Sequence, residues 1–238
     1  MTTKRLGEEG LRWFIAKIED TNDPEKLGRV RIRVFNEHDD PLLDVTDLLW
    51  ATPIMPVTSA CHGQVGRSPT GLLVDSIVFG FFLDGNEKQL PVIWGSYAKL
   101  PGGDQKNNDV PGLAREINTI KKVQDGPEPE PAYAAKYPFN HVTQTQSGHV
   151  IEMDDTPSKE RLHVYHKSGT YIEVNFEGQR VTKVVGDDIE VVIKDKNVYI
   201  KGNANLKIDG NLTINAGGDI NMTAGGNMNL KGSKINLN

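Results

Sequence analysis

Glu152, Asp154, Asp155 and Glu160 place four carboxyl groups within nine residues. Two carboxyls flanking a glycosidic bond cleave it by acid and base catalysis, so hydrolytic chemistry would be sought in this cluster. Asp154-Asp155-Thr156-Pro157 also has the composition of a turn whose short polar side chains bond nearby backbone, and no cleft-forming segment surrounds it. The turn is the expected reading. His163 and His166 are three residues apart, which on a strand puts them on opposite faces and makes them a poor joint metal site. One histidine from each of three chains would form a ring, but packing or surface roles are expected. Cys61 and His62 are adjacent and point apart in an extended chain, so a thiol–imidazole pair is not expected. The loop from Gly63 to Gly71 looks like a phosphate cradle, yet it lacks the Gly-Lys-Ser/Thr ending and a following helix, and reads as a glycine-rich turn. Arg29, Arg31 and Arg33 suit a nucleic-acid face, but such faces need stacking aromatics, and Phe35 and Trp50 alone are weak support. A solvated strand face, or one meeting a neighbour, is expected. No catalytic, cofactor or metal site is therefore expected.

The elements that would carry these residues fall into zones. The chain has 238 residues with 24 glycines, 13 prolines and 7% aromatics, enough for one ordinary globular domain plus something that is not globular. A net charge of −5 and a pI near 5.7 give no overall attraction to polyanions. No apolar run approaches the roughly 18 residues needed to span a bilayer, and the first residues lack an apolar leader core, so assembly in a cytoplasm is expected. Cys61 is the single cysteine, so rigidity has to come from backbone pairing or oligomerisation.

Residues 1–10 form a short arm, and 11–99 carry five strand-like segments: WFIAKIED, GRVRIRVF, LLWATPIM, LLVDSIVFGFFLDG and LPVIWGSY. In GRVRIRVF the arginines alternate with Val30, Ile32 and Val34, charges on one face and branched apolar residues on the other. Five strands of this size favour a closed barrel of the oligonucleotide/oligosaccharide-binding (OB) type. Residues 100–140 are a linker rich in proline, glycine and charge, in which LAREINTIKKV has the pattern of one or two helical turns. Residues 141–177 are β-rich, a neck before the last zone. The fold class is all-β.

Residues 178–238 carry a repeat. Glycine recurs at Gly178, Gly186, Gly202, Gly210, Gly218 and Gly226, at intervals of eight or twice eight, and Lys194 and Lys234 fill two further phase positions. Between them apolar and polar residues alternate: Ala204, Leu206 and Ile208; Leu212, Ile214 and Ala216; Ile220, Met222 and Ala224; Met228 and Leu230. Ile189, Val191 and Ile193, and again Ile235 and Leu237, sit in the opposite parity, so the register shifts near 194–197 and near Ser233. Eight residues at about 3.3 Å each cannot encircle a filled interior, so a single-chain β-helix is disfavoured. Three intertwined chains solve the packing: each octad lies on one face of a triangular prism, the apolar residues point to the axis, and glycine turns the corner with φ values other residues resist. At one strand spacing per octad the needle would rise roughly 30–35 Å.

The segments RWFIAKIEDTNDPEKLGRVRIRVF, TDLLWATPIMPVTSA, GQVGRSPTGLLVDSIVFGFFLDG and PVIWGSY resemble the OB domain of the central spike proteins of contractile phage baseplates, relatives of the VgrG spikes of type VI secretion. SGHVIEMDDTPSKERLHVYHKSGTYIEVNFEGQRVTKVVGDD is similar to the segment leading into their triple-stranded β-helix. The resemblance implies a homotrimer in the virion, with its OB domain on a trimeric hub ring and its needle directed mechanically at the host outer membrane. The acidic balance argues against a nucleic-acid partner. Some members carry a lysozyme domain between barrel and needle, where this chain has only the linker; some end in a His-x-His metal tip, whereas no histidine follows His166. A separate PAAR-like cap on Lys234, Ile235, Asn236, Leu237 and Asn238 is the expectation that follows. A peptidoglycan-degrading spike, and an OB nucleic-acid-binding protein with a trimerising tail, are the competing readings.

Overall fold

The computed structural model describes residues 10–40, 42–98 and 129–236. The N-terminal arm before Gly10, the linker through 128 with its expected helical turns, and the tip residues Leu237 and Asn238 lie outside the described residues. The chain divides into a unit ending at Asp188 and a second beginning at Ile189.

The five expected strands form as β1 (Arg12–Asp20), β2 (Val30–Val34), β3 (Trp50–Pro53), β4 (Ile77–Phe82) and β5 (Pro91–Ser96). They close into a barrel in the order β1-β2-β3-β5-β4, with β1 returning to pair with β4. Only the β3–β5 contact among these pairings is parallel. Alternation decides which residues enter the core: Phe14, Ala16 and Ile18 from β1, Val30, Ile32 and Val34 from β2, with Ala51, Val78, Phe82 and Ile93. Gly80 makes the packing possible, since a Cβ there would lie 2.0 Å from the Val92 carbonyl oxygen and 2.7 Å from the Phe14 ring.

A second sheet is an antiparallel meander of β6 (Asn140–Gln144), β7 (Val150–Asp154), β8 (Arg161–Tyr165), β9 (Tyr171–Val174) and β10 (Arg180–Lys183), each strand beside the next. Its faces are inverted relative to a soluble sheet. Cross-strand registry lines up Glu152, His163 and Glu173 in one row and Asp154 with Arg161 in the next, and this charged face is buried. The opposite face carries the rows Ile151, Val164, Ile172 and Met153, Leu162, Val174, of which Ile151, Met153, Leu162, Val164 and Ile172 are each half exposed. Residues 129–139 lie over the charged side: the Tyr133 ring sits 5.1 Å from the Arg161 guanidinium carbon, and the Lys136 amide donates to Thr156 Oγ1 at 2.9 Å.

Two details of the expected octad array change. Gly178, with φ 76°, lies in the hairpin between β9 and β10, where its amide donates to the Asn175 carbonyl at 2.9 Å. The octad phase therefore overlaps the meander, which continues through Lys183. At Gly186, Gly202, Gly210, Gly218 and Gly226 the backbone does not enter the left-handed region, so glycine is not required there for its φ. The chain nevertheless bends at 185–186, 193–194, 201–202, 209–210, 217–218 and 225–226, with a period of eight. A corner that needs no positive φ accepts a side chain, which explains Lys194 at the same phase. From 184 onward the chain makes no strand pairs among the described residues. Leu206, Leu212, Ile214, Ile220, Met222, Met228 and Leu230 are all exposed in the single chain.

Candidate functional site

The acidic cluster divides. Asp155 and Glu160 are exposed, whereas Glu152 and Asp154 retain only 1% and 2% of their accessible surface, so neither can meet a polysaccharide. Arg161 binds Glu152 through Nη2 at 2.7 Å and Glu173 through Nη1 at 2.9 Å. Its Nη1 also lies 2.8 Å from His163 Nδ1. Asn140 Nδ2 donates to Glu152 Oε1 at 2.8 Å, and Asp154 accepts from the Thr156 amide at 2.9 Å, the turn contact that the Asp-Asp-Thr-Pro composition calls for.

Burial opposes ionisation of Glu152, yet its carboxyl is held at about 2 by the nearby His163 ring, the Arg161 charge and the Asn140 amide. The guanidinium is the stronger holder: His163 Nδ1 is 3.6 Å from the carboxylate, too far for a hydrogen bond, and faces an Arg161 N–H instead. The two glutamates of the row would repel without the cation between them. Glu152, Glu173, Arg161 and His163 form a buried network that holds three strands together, and the two glutamates are tied to Arg161 instead of being poised for proton transfer.

His163 is inside this network and His166 is exposed on the other face. His166 meets His149 with ring centroids 4.4 Å apart, and its Nδ1 lies 2.8 Å from Ser168 Oγ. That pairing was not readable from spacing, because it joins the ends of β7 and β8. Among the described residues no group of three or more histidine, cysteine or acidic side chains has a metal-binding arrangement. Cys61 is exposed, with Sγ 3.3 Å from Ser59 Oγ. In the glycine-rich loop the Arg67 amide donates to Ser59 Oγ at 2.8 Å, and His62 and Val65 pair through their backbones. These donors are turned inward upon the loop itself, unlike those of a phosphate cradle.

Arg29, just before β2, and Arg31 and Arg33 within it are not a solvated row. Arg29 chelates Asp23 at 2.7 Å, and that bond, with three backbone amides, holds the Asp23 carboxyl far below its usual range despite some desolvation. Arg31 donates to the carbonyls of Thr46 and Leu48 and packs 4.6 Å from the Trp50 ring centroid. Arg33 binds Glu19 at 3.0 Å and the carbonyls of His38 and Leu43. Each arginine fastens a connecting segment onto the barrel. Carbonyl acceptors have no signature in sequence, so these partners could not be foreseen.

Aromatics missed by the sequence reading gather elsewhere, on the outside of β1, β4 and β5. Trp13 stacks on Phe79 with centroids 5.0 Å apart and planes 3° from parallel, meets Phe81 edge-on at 5.1 Å, and lies 6.4 Å from Trp94. Tyr97 adds an edge contact to Phe79. In sequence these residues are spread over 13–97; only the strand order brings them together.

The chain is a closed five-stranded barrel with one parallel pair, followed by a β-meander and a segment that bends every eight residues. The chain matches the family model described as the Gp5 N-terminal OB domain over residues 36–163, and it belongs to that family. It is 33% identical to Protein Gp5 of Vibrio phage KVP40 over an alignment 266 positions long, gaps included, that covers 83% of this chain and 63% of that protein. It is 40% identical over 76 residues to the pre-baseplate central spike protein Gp5 of Enterobacteria phage T4, covering 32% of this chain and 13% of that protein. The chain thus spans less than two thirds of the length of these curated relatives.

Proposed function

We propose that this chain is the structural central spike of a contractile tail. Three copies intertwine their octads into a needle, cap the tail tube, and are driven through the host envelope when the sheath contracts. The observation that carries this reading is the alternating apolar stripe Leu206 to Leu230, exposed in a stretch that makes no strand pairs among the described residues. Such a stripe with unpaired backbone is stable only against other strands, and the period of eight between bends suits three chains exchanging prism faces. The half-exposed row Ile151, Val164, Ile172 extends the same demand into the meander.

Separation of three intertwined chains requires many hydrogen bonds to break together, which gives the kinetic resistance a puncturing device needs. The OB domain attaches to a trimeric hub of the baseplate, and a separate PAAR-like protein binds at Lys234 to Asn238. No covalent chemistry is assigned to the chain, and no nucleic acid: Arg29, Arg31 and Arg33 are held by their own loops. The protein resides in the virion tail after assembly in the host cytoplasm.

Sedimentation of the purified chain at micromolar concentration tests the reading. A trimer that survives detergent at room temperature is the expected result, and a clean monomer would overturn it. The same preparation should leave a cell-wall suspension turbid; clearing would restore the enzymatic reading. A closed apex holding a metal ion in the isolated trimer would remove the need for a cap.

A further inference from the structure

We propose that His149 and His166 form an acid-released latch at the end of the meander from which the octad stretch departs. Val150 pairs with Tyr165 across β7 and β8, so His149 and His166, just outside that pair, meet from the tips of two separate hairpins with ring centroids 4.4 Å apart. Each tip closes on itself: the Thr145 amide donates to the His149 carbonyl at 3.0 Å, and the His166 amide to the Thr170 carbonyl at 2.8 Å. The rings join the tips. The Lys167 amide is directed at His149 Nδ1, 3.5 Å away, and the Ser168 amide donates to His166 Nδ1 at 3.2 Å. A ring nitrogen that faces an N–H must present its lone pair, so both contacts require the neutral ring with its proton on Nε2. The same turn holds the start of the octad stretch: Thr170 Oγ1 accepts from the Val185 amide at 3.1 Å, and a Cβ at Gly169 would lie 3.4 Å from Val185 Cγ2.

Protonation reverses both contacts. The new proton on Nδ1 meets an amide N–H that cannot turn round, although the Ser168 hydroxyl, 2.8 Å from His166 Nδ1, can rotate to accept it. Two imidazolium rings then sit side by side, and no carboxylate answers them: among the described residues the ion pairs of histidine are those of His141 and His163. The charged groups around the pair are Lys167 on the turn itself, Lys183 over the Tyr171 ring of β9, and the exposed Asp187 and Asp188 beyond Val185. A metal ion is the other occupant that paired imidazoles suit. Binding it through Nε2 would move each ring's proton to Nδ1, against the same two amides, which selects the latch. The device lies within one chain, so a monomer on sedimentation would sink the spike reading and leave the latch standing.

Hydrogen exchange of the full purified chain at pH 8 and pH 5.5, read by mass spectrometry and corrected for the intrinsic pH dependence of amide exchange, is the test. Imidazole changes charge across this interval, whereas the Glu152 carboxyl is held at about 2 and stays ionised. The amides of 166–170 and of Val185 should open roughly tenfold more at pH 5.5, while the histidine-free hairpin at 175–178 is unchanged. In the double variant His149→Asn with His166→Asn, whose side-chain oxygens accept near the Nδ1 positions but take up no proton, the difference should vanish. Equal responses of the two hairpins, or the same response in the double variant, would overturn the proposal. Protection of the 166–170 turn by zinc chloride at pH 8, absent from the double variant, would make the pair a metal site and overturn it as well.

Discussion

The barrel and the meander are both built from short strands of alternating pattern, yet they bury opposite kinds of side chain. In the barrel the inward residues are Phe14, Ile18, Ile32 and Phe82, and the outward arginines of β2 are fastened to nearby loops. In the meander the covered face holds Glu152, Arg161, His163 and Glu173, and the aliphatic rows are left half open. A barrel closed on itself satisfies its backbone and its apolar residues within one chain. An open sheet with an exposed aliphatic face does neither, and the octads go further by pairing with nothing of their own. Self-sufficiency falls along the chain in the order barrel, meander, octads.

The largest effect separating the two sheets should come from Arg161→Met. It strands Glu152 and Glu173 in the covered face, at a cost of about 3–5 kcal/mol, and chemical denaturation should show the loss. Arg161→Lys should recover little, because a point charge cannot bond both carboxylates and His163 in the fork geometry. In the barrel, Ile32→Ala should cost about 2–4 kcal/mol by leaving a cavity in a dry core. The two kinds of loss should differ in pH response, the first shrinking as acid neutralises Glu152 towards pH 2 and the second not. If both were insensitive to pH over that range, the contrast between an ionic and an apolar interior would fail.

Val164→Asp measures the open face. In an isolated chain this exposed position should tolerate the change to within about 0.5 kcal/mol, whereas a carboxylate facing a partner's aliphatic row should cost about 2 kcal/mol or more in each chain. A concentration-dependent drop in thermal midpoint, alongside loss of the oligomer by light scattering, is the expected outcome.

Acid should act on the meander before the barrel core. The Glu152 carboxyl is lowered in the folded chain, so its contribution is complete above the ordinary glutamate range and is lost as pH falls towards about 2. Circular dichroism between pH 5 and 2 should show a transition that Glu152→Gln shifts or flattens. The smallest effect expected is from Arg31→Ala, which removes two bonds to the Thr46 and Leu48 carbonyls and the contact with Trp50, about 1–2 kcal/mol by thermal denaturation.

Much of the fold was legible in the residues. Alternation of Val30, Ile32 and Val34 with arginines predicts which side of β2 enters the core, because a strand's period of two leaves only two faces. The five barrel strands and the octad period were readable for the same reason: they are local patterns. The alternation of Ile151 and Met153 with Glu152 and Asp154 also announced two faces. It did not say which would be covered, since that depends on residues 129–139 lying over the charged side.

By itself the sequence determined the strands, the barrel's inward residues and a period of eight that one chain cannot pack. Tertiary structure decided what the chemistry-bearing residues do. Glu152 and Glu173 became parts of a buried ion network with Arg161 because β7, β8 and β9 align in register, and the β2 arginines became clasps because loop carbonyls come within reach. The tryptophans became a surface because β1, β4 and β5 are neighbours in the barrel though distant in the chain. Local periodicity is written residue by residue, whereas partnership depends on strand order and on which face something else covers.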